Sequence, residues 1–311
     1  MNYLRRAMST VLTVTLSLVM STAVLANTTT SSIRGSVATQ AGQTFSNAAV
    51  TITHTPSGTV SRTTTNSSGA FSARSLRVGG PYSISVSGPG FENAKVDDVY
   101  LSLDQGMSVP VVVRASGAME VVAVTAQRLG QTGFKNEGLS TSLGLEALQE
   151  VISIDRDITD AAQLDPFAAV NVQSGGAKEL TIAGANNRFN SLTIDGVALN
   201  DRFGLNANGY PSQRSPISYD AIESLSIQTA PFDVEYNGFT GGTINAVTKS
   251  GTNTFEGSVG YYSTDDSTIG DKNGDDEFDF KFEEETFVAT FGGPIIKDKL
   301  FFFVAYDKYE E

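Results

Sequence analysis

Cysteine and tryptophan are absent from the chain, histidine occurs once, as His54, and the 21 basic residues are outnumbered by 34 acidic ones. Without cysteine there is no disulfide framework, thiolate zinc site, cysteine nucleophile or iron–sulfur cluster. A single histidine excludes a multi-histidine metal site. The formal charge of −13 argues against a nucleic-acid binder, which needs a basic stripe. Past the N-terminus no apolar run reaches the ~18 residues of a membrane-spanning helix. The 311 residues allow roughly two domains at ~100–200 residues each.

What is present begins with an export signal. Arg5 and Arg6 precede an apolar stretch from Val11 to Met20, and Ala23-Val-Leu-Ala26 offers small residues for cleavage after Ala26. The pattern is a secretory signal peptide over residues 1–26, the apolar run being too short for a spanning anchor. An exported, acidic, cysteine-free chain fits the bacterial cell envelope, where avoiding cysteine avoids mispairing in an oxidising compartment.

Residues 27–115 read as short alternating strands separated by turns. Ser32 to Ala38 and Ala49 to Thr55 alternate, the latter with Val50 and Ile52 on one face, and Tyr82, Ile84 and Val86 point inward from the next. Pro56-Ser-Gly58, Asn66-Ser-Ser-Gly69 and Gly79-Gly-Pro81 supply turns. About seven strands with turns every 8–12 residues make a small β-sandwich. His54 is expected as an exposed strand residue without a partner. In order, Gly35-Ser-Val37, Asn47 to Ile52, Thr65 to Phe71 and Pro81 to Phe91 resemble the carboxypeptidase-regulatory-like domain, a carbohydrate-binding-like (prealbumin-like) sandwich. That resemblance puts Gly69 in a tight turn and Phe71 in the core, and implies no peptidase activity.

Residues 116–127 form a linker holding Glu120, Val121, Val122, Ala123, Val124 and Thr125. Such a β-prone peptide can add to the edge of a partner's sheet, main-chain hydrogen bonds giving affinity and alternate side chains specificity. It equally suits the first strand of the next domain. The run resembles the TonB box of TonB-dependent outer-membrane receptors.

Residues 128–250 carry two short helical patterns, Leu145 to Leu148 and Asp157 to Leu164, the second ending before Asp165-Pro166, because the residue before proline is pushed out of the helical region. Strands follow at Glu179–Ala183, Ser191–Ile194 and Ser224–Thr229, and Asn186-Asn187, Asp195-Gly196 and Gly241-Gly242 read as tight turns, where Gly and Asn tolerate positive φ. This is an α+β module. Leu180 to Gly184, Thr193 to Val197, Ala221 to Ile227, and Tyr236 to Asn245 with Val247-Thr-Lys249 resemble, in order, the motifs of the plug domain of TonB-dependent receptors. Ala183 stands where that family has an arginine, and Thr229-Ala-Pro231 where many members have Arg-Gly-Pro. The resemblance gives Asp195, Gly196, Gly241, Gly242 and Asn245 structural roles. The insert from Asn200 to Pro216 suggests the Oar-like subgroup. Gly241-Gly242 lacks the following Lys-Ser/Thr of a phosphate cradle.

Residues 251–311 change to alternation over about ten residues. Phe255, Val259 and Tyr261 share a face; Phe287, Ala289 and Phe291 oppose Thr286, Val288 and Thr290; Leu300, Phe302, Val304 and Tyr306 form an apolar face, with Phe301 and Phe303 opposite. Transmembrane β-barrel strands and soluble amphipathic hairpins both give this pattern. Gly293 to Lys299 is expected as the turn between the last two strands, resembling the family's short periplasmic turn. The acidic connection 265–285 offers Asp271, Asn273, Asp275 and Glu277 at 1-3-5-7 calcium-loop spacing, but Asp276 replaces the glycine such a loop requires and Phe282 the bidentate glutamate. A solvated acidic loop is the simpler reading, with no metal held.

The expectation is therefore a multi-domain chain: N-terminal β-sandwich, α+β plug, and the first three strands of a transmembrane β-barrel. The resemblance implies an outer-membrane receptor that imports an extracellular substrate, with a TonB-type inner-membrane protein and outer-membrane lipid as partners, no nucleic acid and no cofactor. No catalytic triad, metal cluster or nucleotide loop marks an enzyme. The alternative is an envelope adhesion protein whose sandwich binds glycan or a protein partner. Since transporters of this kind close ~22 strands, three strands read as the N-terminal part of something longer.

Overall fold

The computed structural model describes residues 29–103, 106–116, 134–136, 140–153, 156–173, 177–201, 203–212, 214–229, 240–267, 272–273, 276–277, 281 and 283–310. The signal segment, residues 120–125, and Asp271 and Asp275 lie outside them.

The first module is a seven-stranded sandwich. Strands β1 (Thr30–Ala38), β2 (Ala49–His54), β3 (Thr59–Thr64), β4 (Ala70–Arg77), β5 (Gly79–Ser87), β6 (Ala94–Leu101) and β7 (Gly106–Val112) form sheets ordered β4-β1-β7 and β3-β2-β5-β6. β7 runs parallel to β1, from Ser32↔Gly106 to Ala38↔Val112. Alternation drives the packing: Ile33, Val37, Val50, Ile52, Ile84 and Val86 are fully buried in one core with Tyr82 and Phe71. The Asn66–Gly69 turn is held by Asn66 Oδ1, which accepts from Ser68 N and Ala70 N at 3.0 and 2.9 Å, with Gly69 at φ +74°.

His54 departs from expectation. It is 5% exposed, its Nδ1 lies 2.7 Å from Ser57 Oγ, and its ring packs 4.8 Å from that of Tyr82. The reason is parity: residues 50, 52 and 54 share the inward face of β2, so burying Val50 and Ile52 carries His54 inside. Burial, with Arg77 nearby, pushes its pKa down to about 4.

The second module centres on a six-stranded mixed sheet. Strands β8 (Phe134–Asn136), β9 (Ser140–Gly144), β12 (Ser191–Ile194), β13 (Val197–Ala198), β14 (Ile222–Gln228) and β15 (Thr243–Thr248) take the order β13-β12-β15-β14-β9-β8, while β10 (Ala168–Val172) and β11 (Lys178–Ile182) make a separate hairpin. β12 and β15 are parallel. Two short helices, α1 (Leu145–Glu150) and α2 (Ile158–Ala162), add Leu148, Ile158, Ala161 and Ala162 to a core containing Leu143, Leu225, Ile227 and Ala246. Asp157 caps α2, its side chain accepting from Thr159 N at 2.8 Å, which offsets one orphan donor of the first turn.

The third module is an antiparallel sheet, β16-β19-β20, of β16 (Glu256–Asp265), β19 (Glu283–Ile296) and β20 (Leu300–Glu310); β17 (Lys272–Asn273) and β18 (Asp276–Glu277) form a small ladder in the acidic connection. One face is apolar and open: Val259, Tyr261, Phe291, Val304 and Tyr306 are all more than half exposed. The opposite face buries Thr286, Val288 and Thr290. The turn between β19 and β20 is shorter than expected. Gly292, Gly293 and Pro294 still pair with Phe303, Phe302 and Phe301, and the chain reverses only at Lys297–Lys299. Gly293 serves close approach instead of turning, because a Cβ there would meet the Phe255 ring at 2.3 Å.

The sandwich is seated on both other modules. Asn253 N donates to Pro56 O at 2.8 Å, and the Asn253 amide bonds reciprocally with Asp298 at 2.7 and 2.8 Å. Val78 and Leu103 of the sandwich bury with Val247 of β15.

Candidate functional site

Two elements fasten the second module, and a third presents its far end. The first is the Asp195-Gly196 turn after β12. Asp195 sits at φ +49° and Gly196 at +78°; the Asp195 carboxylate accepts from Thr248 N at 2.9 Å and Thr248 Oγ1 at 2.8 Å. It pins β12 to the end of β15 just before the chain crosses to β16. Asn245, within β15, accepts from Thr193 Oγ1 at 2.9 Å and is 2% exposed. Gly241 and Gly242 differ from expectation: neither adopts positive φ. Both are needed for close approach. A Cβ on Gly241 would meet Asn190 Oδ1 at 2.3 Å, and one on Gly242 the Ile182 side chain at 2.5 Å.

The second element joins the module to the barrel-like sheet. The Arg156 guanidinium donates to Asp220 through Nη2 at 2.6 Å and Nε at 3.0 Å. It stacks 4.5 Å from the ring centroid of Tyr219 and 4.7 Å from that of Tyr262 on β16. Arg214 lies 3.4 Å from the centroid of Tyr309 on β20. Tyr262 pairs across to Thr286, and Thr286 to Tyr309, so both tyrosines hang from one rung of the sheet, on its inner face. Arginine over an aromatic ring is a cation–π contact. Burial pushes the Tyr219 hydroxyl up to about 12.

Between the modules lies a cavity of about 610 Å³, whose lining includes Arg156, Asp220, Glu223, Lys249, Tyr262 and Phe303. Burial raises the Glu223 pKa against the pull of Lys249 and Arg77, and burial lowers that of Lys249. The joint is thus polar and hollow instead of a dry apolar core. Arg156, Arg214, Tyr262 and Tyr309 were not legible as site residues from sequence. The available signal was Tyr262, an aromatic on the face that β16 otherwise gives to Ser258 and Gly260.

The third element is the loop after β13, at the opposite end from Asp195. Asn200 accepts from Leu192 N at 3.1 Å and donates to Asn190 O at 2.7 Å. Asn187 donates to Ala207 O, Asn206 to Tyr210 O at 3.0 Å and Asn208 to Ser212 O at 3.2 Å. The Asp201 carboxylate accepts from Asn206 N at 2.8 Å and Phe203 N at 3.0 Å. Those amides, Asn206 foremost, hold its pKa below the usual carboxylate range. Among the described residues no group of three or more His, Cys, Asp or Glu side chains could hold a metal ion. Of the calcium-loop candidates, Asn273 and Glu277 lie on the β17–β18 ladder. No described helix is long and apolar enough to cross a membrane.

Three family models match the chain in sequence: the carboxypeptidase regulatory-like domain over residues 32–114, the TonB-dependent receptor plug domain over 140–243, and the outer membrane beta barrel domain over 247–311. The TonB-dependent transporter Oar of Myxococcus xanthus is 32% identical over 182 residues, covering 54% of this chain and 16% of that protein. The siderophore receptor PirA of Acinetobacter baumannii is 27% identical over 175 residues, covering 50% of this chain and 22% of that protein. PirA's crystal structure aligns at 20% identity with a TM-score of 0.43, over 55% of this chain and 24% of that one. The chain spans less than a quarter of the length of either curated relative.

Proposed function

The chain is built from the domains of a TonB-dependent outer-membrane receptor, and from that premise we propose that it imports an extracellular substrate through a plugged β-barrel. The relatives it matches are transporters and receptors, not enzymes, and the barrel and plug domains set it in the outer membrane. In this reading the open apolar face of β16, β19 and β20 meets lipid. The short Lys297–Lys299 turn faces the periplasm and the long acidic connection faces outward, the usual arrangement of bacterial barrels. A TonB-type protein captures residues 120–125 by strand addition and pulls.

The observation that carries the proposal is the nature of the plug joint. Cation–π contacts of Arg156 and Arg214 on Tyr262 and Tyr309, around a polar cavity, hold the plug at its described wall. Such contacts are worth about 0.5–2 kcal/mol each, so a plug held this way can be displaced without melting its own core. The adhesion alternative is not favoured, because the resemblance to transporters extends beyond the sandwich into plug and barrel.

The test uses the full-length receptor. A cysteine placed at Val122 is expected to crosslink to a cysteine in the periplasmic domain of a TonB-type protein. Deleting Glu120–Thr125 is expected to abolish that protein's co-purification while leaving surface abundance unchanged. Co-purification that survives the deletion overturns the reading.

A further inference from the structure

The sheet of the second module has two faces of opposite character. Leu143, Leu225, Ile227, Ile244 and Ala246 share one face, which packs into the module's core. Across the other face Ser142 pairs with Ser226, Ser226 with Asn245, and Asn245 with Thr193, flanked by Ser224 and Thr243. A sheet with one solvated face reads this way, apolar inward and polar outward. Here the polar face is covered: Ser142, Ser224, Ser226, Thr243 and Asn245 are all buried.

The sandwich supplies part of the cover. Ser142 Oγ reaches Leu103 O at 3.5 Å, and Val78 and Leu103 bury with Val247, an apolar residue on the same sheet face. A Cβ on Gly79 would overlap Glu223 Oε1, and one on Gly58 would overlap Asp298 Oδ1 in the turn before β20. Pro56, Gly80 and Pro81 form the sandwich's share of the cavity wall between the other modules.

This seat is of the kind that comes apart. Its apolar cluster holds three side chains, whereas a permanent contact resembles a core cut in half. The polar face also closes its own bonds. Thr193 Oγ1 donates to Asn245 Oδ1 at 2.9 Å and Ser224 Oγ to Leu143 O at 3.2 Å. The face therefore gains little from a cover and loses little to water. Thr243 Oγ1, on the same face, is buried with no hydrogen-bond partner among the described residues, a cost that wetting the face removes. Polar contacts between domains of one chain leave relative motion as the default.

We propose that the sandwich is a reversible cap. Docked, it covers the polar sheet face and walls the joint cavity on its side. Released, it gives both over to water while sandwich and plug each stay folded. The occupant of the face is this chain's own N-terminal domain, and its replacement is solvent. The inference concerns the sandwich's seat and does not depend on the transport reading.

The intact protein in nanodiscs tests this with no TonB-type partner present. The chain has no cysteine of its own, so Ser142→Cys gives a single thiol in the seat. Val78→Cys gives a second reporter from the sandwich side, and Ala246→Cys one on the core face of the same sheet. A maleimide is expected to label the two seat thiols while Ala246→Cys stays unlabelled. Gly58→Asp drives a carboxylate against Asp298 at a φ of +68° that aspartate tolerates. It should speed seat labelling at least about tenfold. Gly42→Asp, at φ +87° with nothing within 4 Å, should leave it unchanged. Seat thiols that label only as fast as Ala246→Cys move only when the plug unfolds, and the cap is overturned. Seat thiols that label at once and ignore Gly58→Asp were never covered, which overturns it equally. Equal acceleration by both aspartates would trace the labelling to unfolding of the sandwich and overturn it too. Each failure leaves the transport reading standing, which the Val122 crosslink tests separately.

Discussion

The guanidinium of Arg156 lies between two tyrosine rings, 4.5 Å from Tyr219 of its own module and 4.7 Å from Tyr262 of the neighbouring β16 strand. Asp220 fixes its plane with two hydrogen bonds. The contact is therefore made by a group already oriented before the barrel sheet arrives. Replacing Tyr262 by alanine should weaken the joint by about 1–2 kcal/mol, and the same replacement should cost clearly less in an Arg156→Gln background. A double-mutant cycle read by urea resistance of the plug in the intact protein checks this. Strictly additive losses would show that the pair is not coupled.

Asp195 predicts a graded pair of variants. Asp195→Ala removes both bonds to Thr248 and puts a less tolerant residue at φ +49°. It should cost about 1–2 kcal/mol. Asp195→Asn keeps the left-handed preference and one acceptor, and should cost less than half as much. Hydrogen exchange at Thr248 and its neighbours distinguishes the two.

Gly242 predicts overpacking. A methyl there would lie 2.5 Å from Ile182 Cγ2 and 2.9 Å from the Gln228 carbonyl oxygen. Gly242→Ala should destabilise the plug by about 1–3 kcal/mol, with lost protection in β11 and β14. Full stability would mean that Ile182 can swing aside.

How much of this was readable depends on what each residue answers to. Ser191–Ile194 is legible to the residue, and Tyr82, Ile84 and Val86 take the inward face that alternation predicts, because strand parity is local. Gly241-Gly242 reads as a turn because the chain alone cannot tell a glycine that bends from one that makes room. That distinction lies in Asn190 and Ile182, residues distant in sequence. The expectation of an exposed His54 follows histidine's usual place outside, while its parity with Val50 and Ile52 places it within. Arg156 and Tyr262 meet only through tertiary packing, and no periodicity links them.

His54 predicts a pH dependence. Burial favours the neutral ring, so its folded pKa of about 4 lies below the unfolded 6.5. Below pH 6.5 the unfolded chain binds the proton first, and sandwich stability falls as pH drops from 6.5 towards 4, by at most ~3 kcal/mol. Above 6.5 this contribution is constant. His54→Gln should flatten the slope. Hydrogen exchange of β2 and β5 across that pH range measures it, and an unchanged slope in the variant would assign the dependence to other groups.

The parallel pairing of β7 with β1 has a mechanical meaning. The chain enters the sandwich at the start of β1 and leaves along β7, so tension between Thr30 and a point beyond Ser116 would act along the strand axis. From Ser32↔Gly106 to Ala38↔Val112 the ladder then shares the load at once, like an adhesive joint pulled in shear, where a hairpin pulled at its open end would part bond by bond.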